Sequence, residues 1–467
     1  MSKERRPHRP DARAQRPKTT SPTPPAPRLP AGYAARDLAT RLIDAVLVRG
    51  RALDDALEQH VASADLEPRD RGLARLIAAT VLRRLGQLEA VLALFIEKPL
   101  PEERGNLTPI LLSAAAQLAF LATPPHAAIN IAVEQCRRNR GARRFDKLAN
   151  AVLRRVAECG PGIVAAQDAA HLNIPGWMLA RWTAAYGAAD ARRIALASLE
   201  EADLDITLDP RRTDRPQEWA ERLGGALLPT GSIRLRPEGP VPDLPGFADG
   251  AWWVQDAAAA LPHRLLGPVR GQRIADLCAA PGGKSMTLAA LGAEVTAVDI
   301  SAGRLARVRQ NLDRLKLAAT LVEADATEWQ PAEPFDAVLL DAPCIATGTI
   351  RRHPDILRLK RPDDLGKLVA LQQRLLDNAV RMVKPGGLLV YCSCSLEPEE
   401  GVELIARCLE QHPVLVRERV EPDEIGGPGE LISAAGDLRT LPFHMPEVPG
   451  QRGGLDGFFA ARLRRRA

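Results

Sequence analysis

The sequence predicts a multidomain protein: an all-α domain, a small α+β region, and a C-terminal α/β domain on a parallel sheet. Three observations predict it. From Gly32 to about Cys159, apolar residues recur at intervals of three and four. From about Pro161 to Phe247, proline and glycine break up short mixed segments. From about Trp252, short runs rich in Val, Leu and Ile alternate with amphipathic stretches. That alternation specifies a parallel sheet covered on both faces. The boundaries expected are an arm at 1–30, a helical domain at 31–160, a middle region at 161–247 and the α/β domain at 248–467.

The arm holds eight prolines and eight Lys/Arg against two acids, with almost nothing to bury. It reads as disordered, either a solvated tail or a weak attractor of RNA phosphates. The chain's formal charge is +5, so the rest is nearly neutral and nucleic acid would need local patches. In the helical domain, "RDLATRLIDAVLVRG" and "DRGLARLIAATVLRRLGQLEAVLALF" carry the helix period. Its last part, "CRRNRGARRFDKLANAVLRRV", has eight cations and one acid between Arg137 and Arg155. Arg137, Arg138, Arg140, Arg143, Arg144 and Arg154 form either a solvated helix face or a phosphate-binding surface. The middle region pairs a helical "PGWMLARWTAAYG" with strand-like "ADLDITLDP" and "GSIRLRPEG". In the last domain "RIADLCAA", "AEVTAVDI", "ATLVEADA", "FDAVLLDAPC" and "GGLLVYCSCS" read as strands. Leu305, Val308, Leu312 and Leu315 line one face of an intervening helix.

Composition excludes several classes. No apolar run reaches about eighteen residues, so no transmembrane helix is expected. The basic N-terminus lacks the apolar stretch of a secretory signal. Seven cysteines scattered over 467 residues form no disulfide framework, and a reducing cytoplasm fits them.

"DLCAAPGGKS" follows the first strand of the α/β domain and opens a helix. Gly283-Lys284-Ser285 matches the end of a P-loop, but the first glycine it requires falls on Cys278. G-x-G-x-x-G is absent too. What remains is a small-residue turn, Ala279-Ala280-Pro281-Gly282-Gly283, that lets backbone approach a ligand. Asp299, Asp325 and Asp341 end the next three strands, where open α/β sheets bind ligands. Three carboxylates repel a triphosphate. They suit a cation bearing a ribose, and S-adenosylmethionine is both. Caps or solvated loops are the plainer alternative, weaker for three acids than for one.

"DAPC" (Asp341–Cys344) and "YCSCS" close the fourth and fifth strands, so their thiols can meet in one crevice. The spacing lacks paired C-x-x-C, and no metal site is expected. "DLCAAPGGKS", "VDIS", "DAPCIATGTIRRHPDI" and "YCSCSLEPEE" together resemble the bacterial RNA cytosine-5 methyltransferases. "PPHAAIN" and "KLANAVLRRV" resemble the NusB-like RNA-binding domain of the Sun/Fmu (RsmB) branch, and "GLDGFFAARL" its last strand. The resemblance spans roughly residues 32–467. It implies a Rossmann-like methyltransferase domain acting on a cytidine of small-subunit ribosomal RNA.

By that resemblance, Cys278–Lys284 holds the methionine end of S-adenosylmethionine. Asp299 takes the ribose, Asp325 the adenine side, and Asp341 sits between cofactor and base. Cys394 is the nucleophile and Cys344 assists release. Cys392 stands where the family often has Ala. "ITLDP" departs from the apolar-Arg-x-Asn of related middle domains, which puts RNA contacts by that segment in question. The implied chemistry is thiolate addition to C6, which makes C5 nucleophilic. A thiolate needs nearby positive charge, from Lys284, Arg351 or the cofactor, and Arg351 is counted among the RNA-binding cations. The base must be unstacked. The expected partner is ribosomal RNA, with no membrane, and the protein is expected to be monomeric. The rivals are a transfer-RNA or DNA cytosine-5 methyltransferase and a non-catalytic RNA-binding assembly or antitermination factor. The first DNA alternative needs only the "DAPC" cysteine, and the last predicts decayed motifs, which are intact here.

Overall fold

The computed structural model describes residues 29–62, 66–212, 215–237 and 239–467. Nearly all of the expected arm lies outside the described residues. The helical domain comprises α1 (Tyr33–Leu47), α2 (Leu53–Ala62), α3 (Pro68–Arg83), α4 (Leu85–Phe95), α5 (Leu107–Ala119), α6 (Pro125–Arg138) and α7 (Asp146–Ala166). The helix period of α1 buries Leu38, Leu42, Ile43 and Val46. They join Ile77, Leu82, Leu88, Leu111 and Leu153 in one core. Both α3 and α6 open on a proline, where no amide donor is required. Helix α7 continues through Pro161 to Ala166, past the expected boundary at 160. The proline removes one intrahelical hydrogen bond near the helix end and does not stop it.

Helices α8 (Ala169–Asn173) and α9 (Gly176–Ser198) lead into the middle module. It is an antiparallel sheet of β1 (Leu204–Leu208), β2 (Ala226–Leu227), β3 (Ile233–Leu235) and β4 (Trp252–Val254), in the order β2-β3-β1-β4. Helix α10 (Pro216–Arg222) covers it, with Ile206, Ala220, Ile233, Leu235 and Trp252 in the core. Because β4 pairs with β1, the divide from the α/β domain falls after Val254, not at 247. The ladder of the Trp-Trp-Val run assigns it to the middle sheet.

The α/β domain contains β5 (Arg273–Leu277), α11 (Gly283–Ala290), β6 (Glu294–Asp299), α12 (Ala302–Leu315), β7 (Thr320–Glu323) and β8 (Phe335–Asp341). It continues with α13 (Ile356–Leu359), α14 (Pro362–Met382), β9 (Val383–Ser393) and α15 (Val402–Gln411). Last come β10 (Leu415–Arg417), β11 (Leu438–Thr440) and β12 (Phe458–Arg465). The sheet order is β10-β12-β9-β8-β5-β6-β7, with β11 on β12. Strands β9, β8, β5, β6 and β7 are parallel, but β12 runs antiparallel to β9 and β10. The sheet thus has the expected parallel centre and a mixed edge at β12. An apolar run signals burial on both faces but carries no direction. Alternation splits β9 as the pleat requires: Leu389 and Tyr391 pack beneath α14 and α15. Val390 and Cys392 face the opposite core with Leu288 of α11. The expected face of α12, Leu305, Val308, Leu312 and Leu315, is buried. No described helix is long and apolar enough to cross a membrane.

Candidate active site

The turn after β5 is built for close backbone approach. Cys278 has φ 59° and Gly282 φ 103°, the left-handed region that side chains avoid. A Cβ on Gly282 would also meet Val308 Cγ1 at 3.0 Å. Asp299, 1% exposed, ties the turn to the next strand end. Its carboxylate accepts from the Ala280 amide (3.2 Å), the Ser301 amide (3.0 Å) and the Arg304 guanidinium. Ala279 donates to the Val298 carbonyl at 3.0 Å. Exposed Asp325 lies two residues beyond β7, accepting from the Thr327 amide at 2.8 Å. Beside Asp299, the Ile300 side chain is 65% exposed. The Asp299 and Asp325 carboxylates, next to a bare aliphatic surface and a small-residue turn, fit a cation carrying a ribose and an aromatic base.

Lys284 lies on the first turn of α11, 7% exposed, with Nζ 2.7 Å from Asp341 and 5.1 Å from the Phe458 ring centroid. Burial disfavours its charge, yet Asp341 outweighs that and holds the ammonium above its ordinary range. Asp276, fully buried, accepts from Ser285 Oγ through one oxygen, and its other oxygen has no partner. Burial pushes this carboxyl up to about 7. Burial likewise pushes the Cys278 thiol up to about 12.

The two expected cysteines come together. Cys344 follows β8, Cys394 follows β9, and their sulfurs lie 3.4 Å apart. Cys392 is fully buried on the same side of the sheet, its thiol donating to Asp341 Oδ1 at 3.6 Å. Burial, then Asp341, raises its thiol far above the ordinary range. Cys344 is also raised, first by its bond with Cys394 and then by burial. The two loops are laced together: the Gly348 amide donates to the Cys394 carbonyl (3.0 Å) and the Gly457 amide to the Gly348 carbonyl (2.8 Å). Fully buried Glu400 joins them from below. Its carboxylate accepts from the Ile345 amide at 3.0 Å and Gln372 Nε2 at 2.8 Å. Its carbonyl accepts from the Tyr391 hydroxyl at 2.8 Å and Ser393 Oγ at 3.1 Å. Glu397 is held by Arg181 and Trp182 of α9. Glu400, Gln372, Asp276 and Arg304 were missed in the sequence. "LEPEE" flagged an acidic motif, but nothing in it indicates that Glu400 reaches Ile345, fifty-five residues away in the chain.

Arg137, Arg138, Arg140, Arg143, Arg144 and Arg154 are all exposed, along the end of α6, the following loop and α7. Arg137 pairs with Asp146 (3.0 Å) and Arg138 with Glu134 (2.6 Å). Arg144 donates to the Glu103 carbonyl at 2.8 Å. Such exposed pairs are worth little. Arg351 requires correction. It is 2% exposed, donates to the Gly453 carbonyl at 2.7 Å, and so is closed to an RNA phosphate. Asp209 of "ITLDP" is also buried, turned inward onto Arg211 at 2.7 Å. Among the described residues no group of three or more His, Cys, Asp or Glu is arranged to hold a metal.

Residues 263–464 match the 16S rRNA methyltransferase RsmB/F family and residues 33–158 the NusB family. The ribosomal RNA small subunit methyltransferase B of Xylella fastidiosa is 38% identical over 92% of this chain and 98% of its own length. The crystal structure of PH0851, 22% identical, superposes with a TM-score of 0.70 over 94% of this chain and 99% of that one, a likeness of fold. A methyltransferase homolog protein from Pyrococcus horikoshii, 28% identical, covers 61% of this chain and 93% of its own with a TM-score of 0.50. With a helical NusB-family domain, a methyltransferase sheet and identity sustained across almost the whole length, the chain belongs to the ribosomal RNA small subunit methyltransferase B family.

Proposed function

We propose that the protein methylates C5 of a cytidine in small-subunit ribosomal RNA, through a covalent bond from Cys394 Sγ to C6 of the base. The observation that carries this reading is the pair of thiols 3.4 Å apart at adjacent strand ends. A single thiol serves for attack; two, on separate loops, suit attack followed by release. When bound in the 278–284 turn against Asp299 and Asp325, S-adenosylmethionine supplies the methyl group from its sulfonium.

Cys394 attacks C6, and the C5–C6 π electrons become available at C5. Asp341, 32% exposed and held by Lys284, stabilises the ring from the N3 side. After C5 has taken the methyl group, the C5 proton leaves, the C5–C6 double bond re-forms and the S–C6 bond breaks. Cys344 takes that proton. Its bond with Cys394 is the first cause of its raised pKa. Once Cys394 sulfur is bonded to carbon that cause is gone; Cys344 gives its own proton to solvent, its thiolate takes the C5 proton, and Cys394 departs as thiolate. The exposed cations of α6 and α7 hold phosphates.

The test is denaturing electrophoresis with cofactor and substrate RNA. Cys394→Ala should lose methyl transfer and adduct together. Cys344→Ala should accumulate adduct, and Cys392→Ser should keep most activity. An adduct that persists in Cys394→Ala and vanishes in Cys344→Ala reverses the two roles. Bisulfite sequencing of ribosomal RNA from a deletion strain locates the target, and an unchanged methylation pattern rejects the substrate.

A further inference from the structure

The segment that leaves β8 with Cys344 is held on two sides. On one side are the sheet contacts already described, from Gly348, Ile345 and their partners. On the other side, residues 351–358 lie against the N-terminal helical domain. Arg83 Nη2, on the last residue of α3, donates to the Arg351 carbonyl at 3.0 Å. The Leu53 amide, at the start of α2, donates to Asp355 Oδ2 at 3.1 Å. Asp54 pairs with His353 at 3.3 Å. In return Arg358 donates to the carbonyls of Leu82 (3.3 Å) and Asn173 (2.9 Å).

The chemistry of Arg83 is unusual. It is 6% exposed, and its hydrogen bond goes to a backbone carbonyl, with its Nε unpartnered. Burying a guanidinium without a carboxylate partner is costly, and a simple domain contact is made more cheaply by apolar residues. What Arg83 secures is the path of one strand of backbone, seven residues after Cys344. We propose that Arg83 is a positioning residue: through the Arg351 carbonyl, the helical domain sets the Cys344 loop so that Cys344 reaches C5 while Cys394 is bonded to C6. The domain is thus part of the release step as well as an RNA-capture module. This rests on the release role proposed for Cys344.

The test compares Arg83→Met, which keeps the volume and removes the donor, with Arg83→Lys, which restores one donor. Full-length protein, S-adenosylmethionine and substrate RNA are used throughout. For Arg83→Met, adduct should build up on denaturing gels and kcat should fall about tenfold, as for a displaced catalytic group. KM for RNA and cofactor affinity should stay within about twofold, since the phosphate-binding cations and the turn lie elsewhere. Arg83→Lys should recover most of kcat. If Arg83→Met does not fold, Asp54→Ala at the half-exposed edge of the same contact carries the test, with a smaller rise in adduct. Unchanged kcat and adduct level in the variant overturn the proposal, as does a fall in kcat with no added adduct. Cys344→Ala, run alongside, separates the failures. If it traps adduct while Arg83→Met behaves as wild type, only this proposal falls; if it traps none, the release reading falls and takes this one with it.

Discussion

Replacing Gly348 by alanine should disable catalysis while leaving the cofactor site intact. Gly348, on the Cys344 loop, is bonded to the Cys394 carbonyl on one side and to Gly457 at the start of β12 on the other. A Cβ built on it would lie 1.9 Å from the Gly457 carbonyl oxygen and 2.6 Å from its carbon. Real Cβ contacts stay beyond 3.0 Å, so the backbones must part by about 1.1 Å, the difference between those two distances. The atoms in the way are backbone, with no side-chain end free to swing aside. The φ of Gly348 is not in the left-handed region, so the effect is steric and not torsional. Such overpacking costs about 1–3 kcal/mol of stability. The displaced groups are those that bond the Cys344 loop to the Cys394 carbonyl, and a misplacement of about 1 Å at reacting groups costs on the order of 100-fold in rate. Transfer of labelled methyl to RNA should fall by about that factor. Calorimetric cofactor affinity should not change, because Asp299 and the 278–284 turn are on other strands. Gly366, exposed on α14 with nothing near its Cβ position, is the control, and Gly366→Ala should be active. Gly348→Ala with activity within about twofold of wild type would refute the steric argument.

Asp299→Ala should weaken S-adenosylmethionine binding by more than Asp299→Asn, because alanine also frees the Ala280 and Ser301 amides; equal affinities in titration calorimetry would reject the role of that carboxylate. Arg143→Glu with Arg144→Glu should weaken RNA binding and flatten its salt dependence, and an unchanged salt slope would reduce the cluster to a solvated face. The Asp54–His353 pair predicts a pH dependence. Its hydrogen bond to Asp54 raises His353 above 6.5, and its bond to His353 lowers Asp54 from 3.8 to about 2. The histidine's contribution is therefore full below about pH 6.5 and lost as pH rises through its folded pKa. That of the aspartate is full above about pH 3.8 and lost as pH falls towards 2. Both groups are nearly half exposed, so the effect is small after screening. Asp54→Asn should lower the melting temperature at pH 6 and make less difference at pH 9; an equal difference at both would contradict the pairing.

Local order was legible in the sequence wherever one stretch of chain carries its own instruction. The period of Leu305, Val308, Leu312 and Leu315 names the buried face of α12 whatever it packs against. The small residues of 278–283 announce a turn open to a ligand, and two cysteines at the ends of apolar runs announce thiols at strand ends. Arg351 shows the limit: as a cation in a polar motif it reads as exposed, and only the fold wraps Gly453 and Gly454 around it. The direction of β12, the loss of β4 to the middle sheet, Glu400 beneath Ile345 and Arg83 on the Arg351 carbonyl were likewise settled by tertiary structure. Each joins residues from 44 to 268 positions apart by hydrogen bonds whose partners are set by strand order and domain packing. Periodicity and composition report what a segment must bury or leave in water; which distant backbone meets it is decided when the layers assemble.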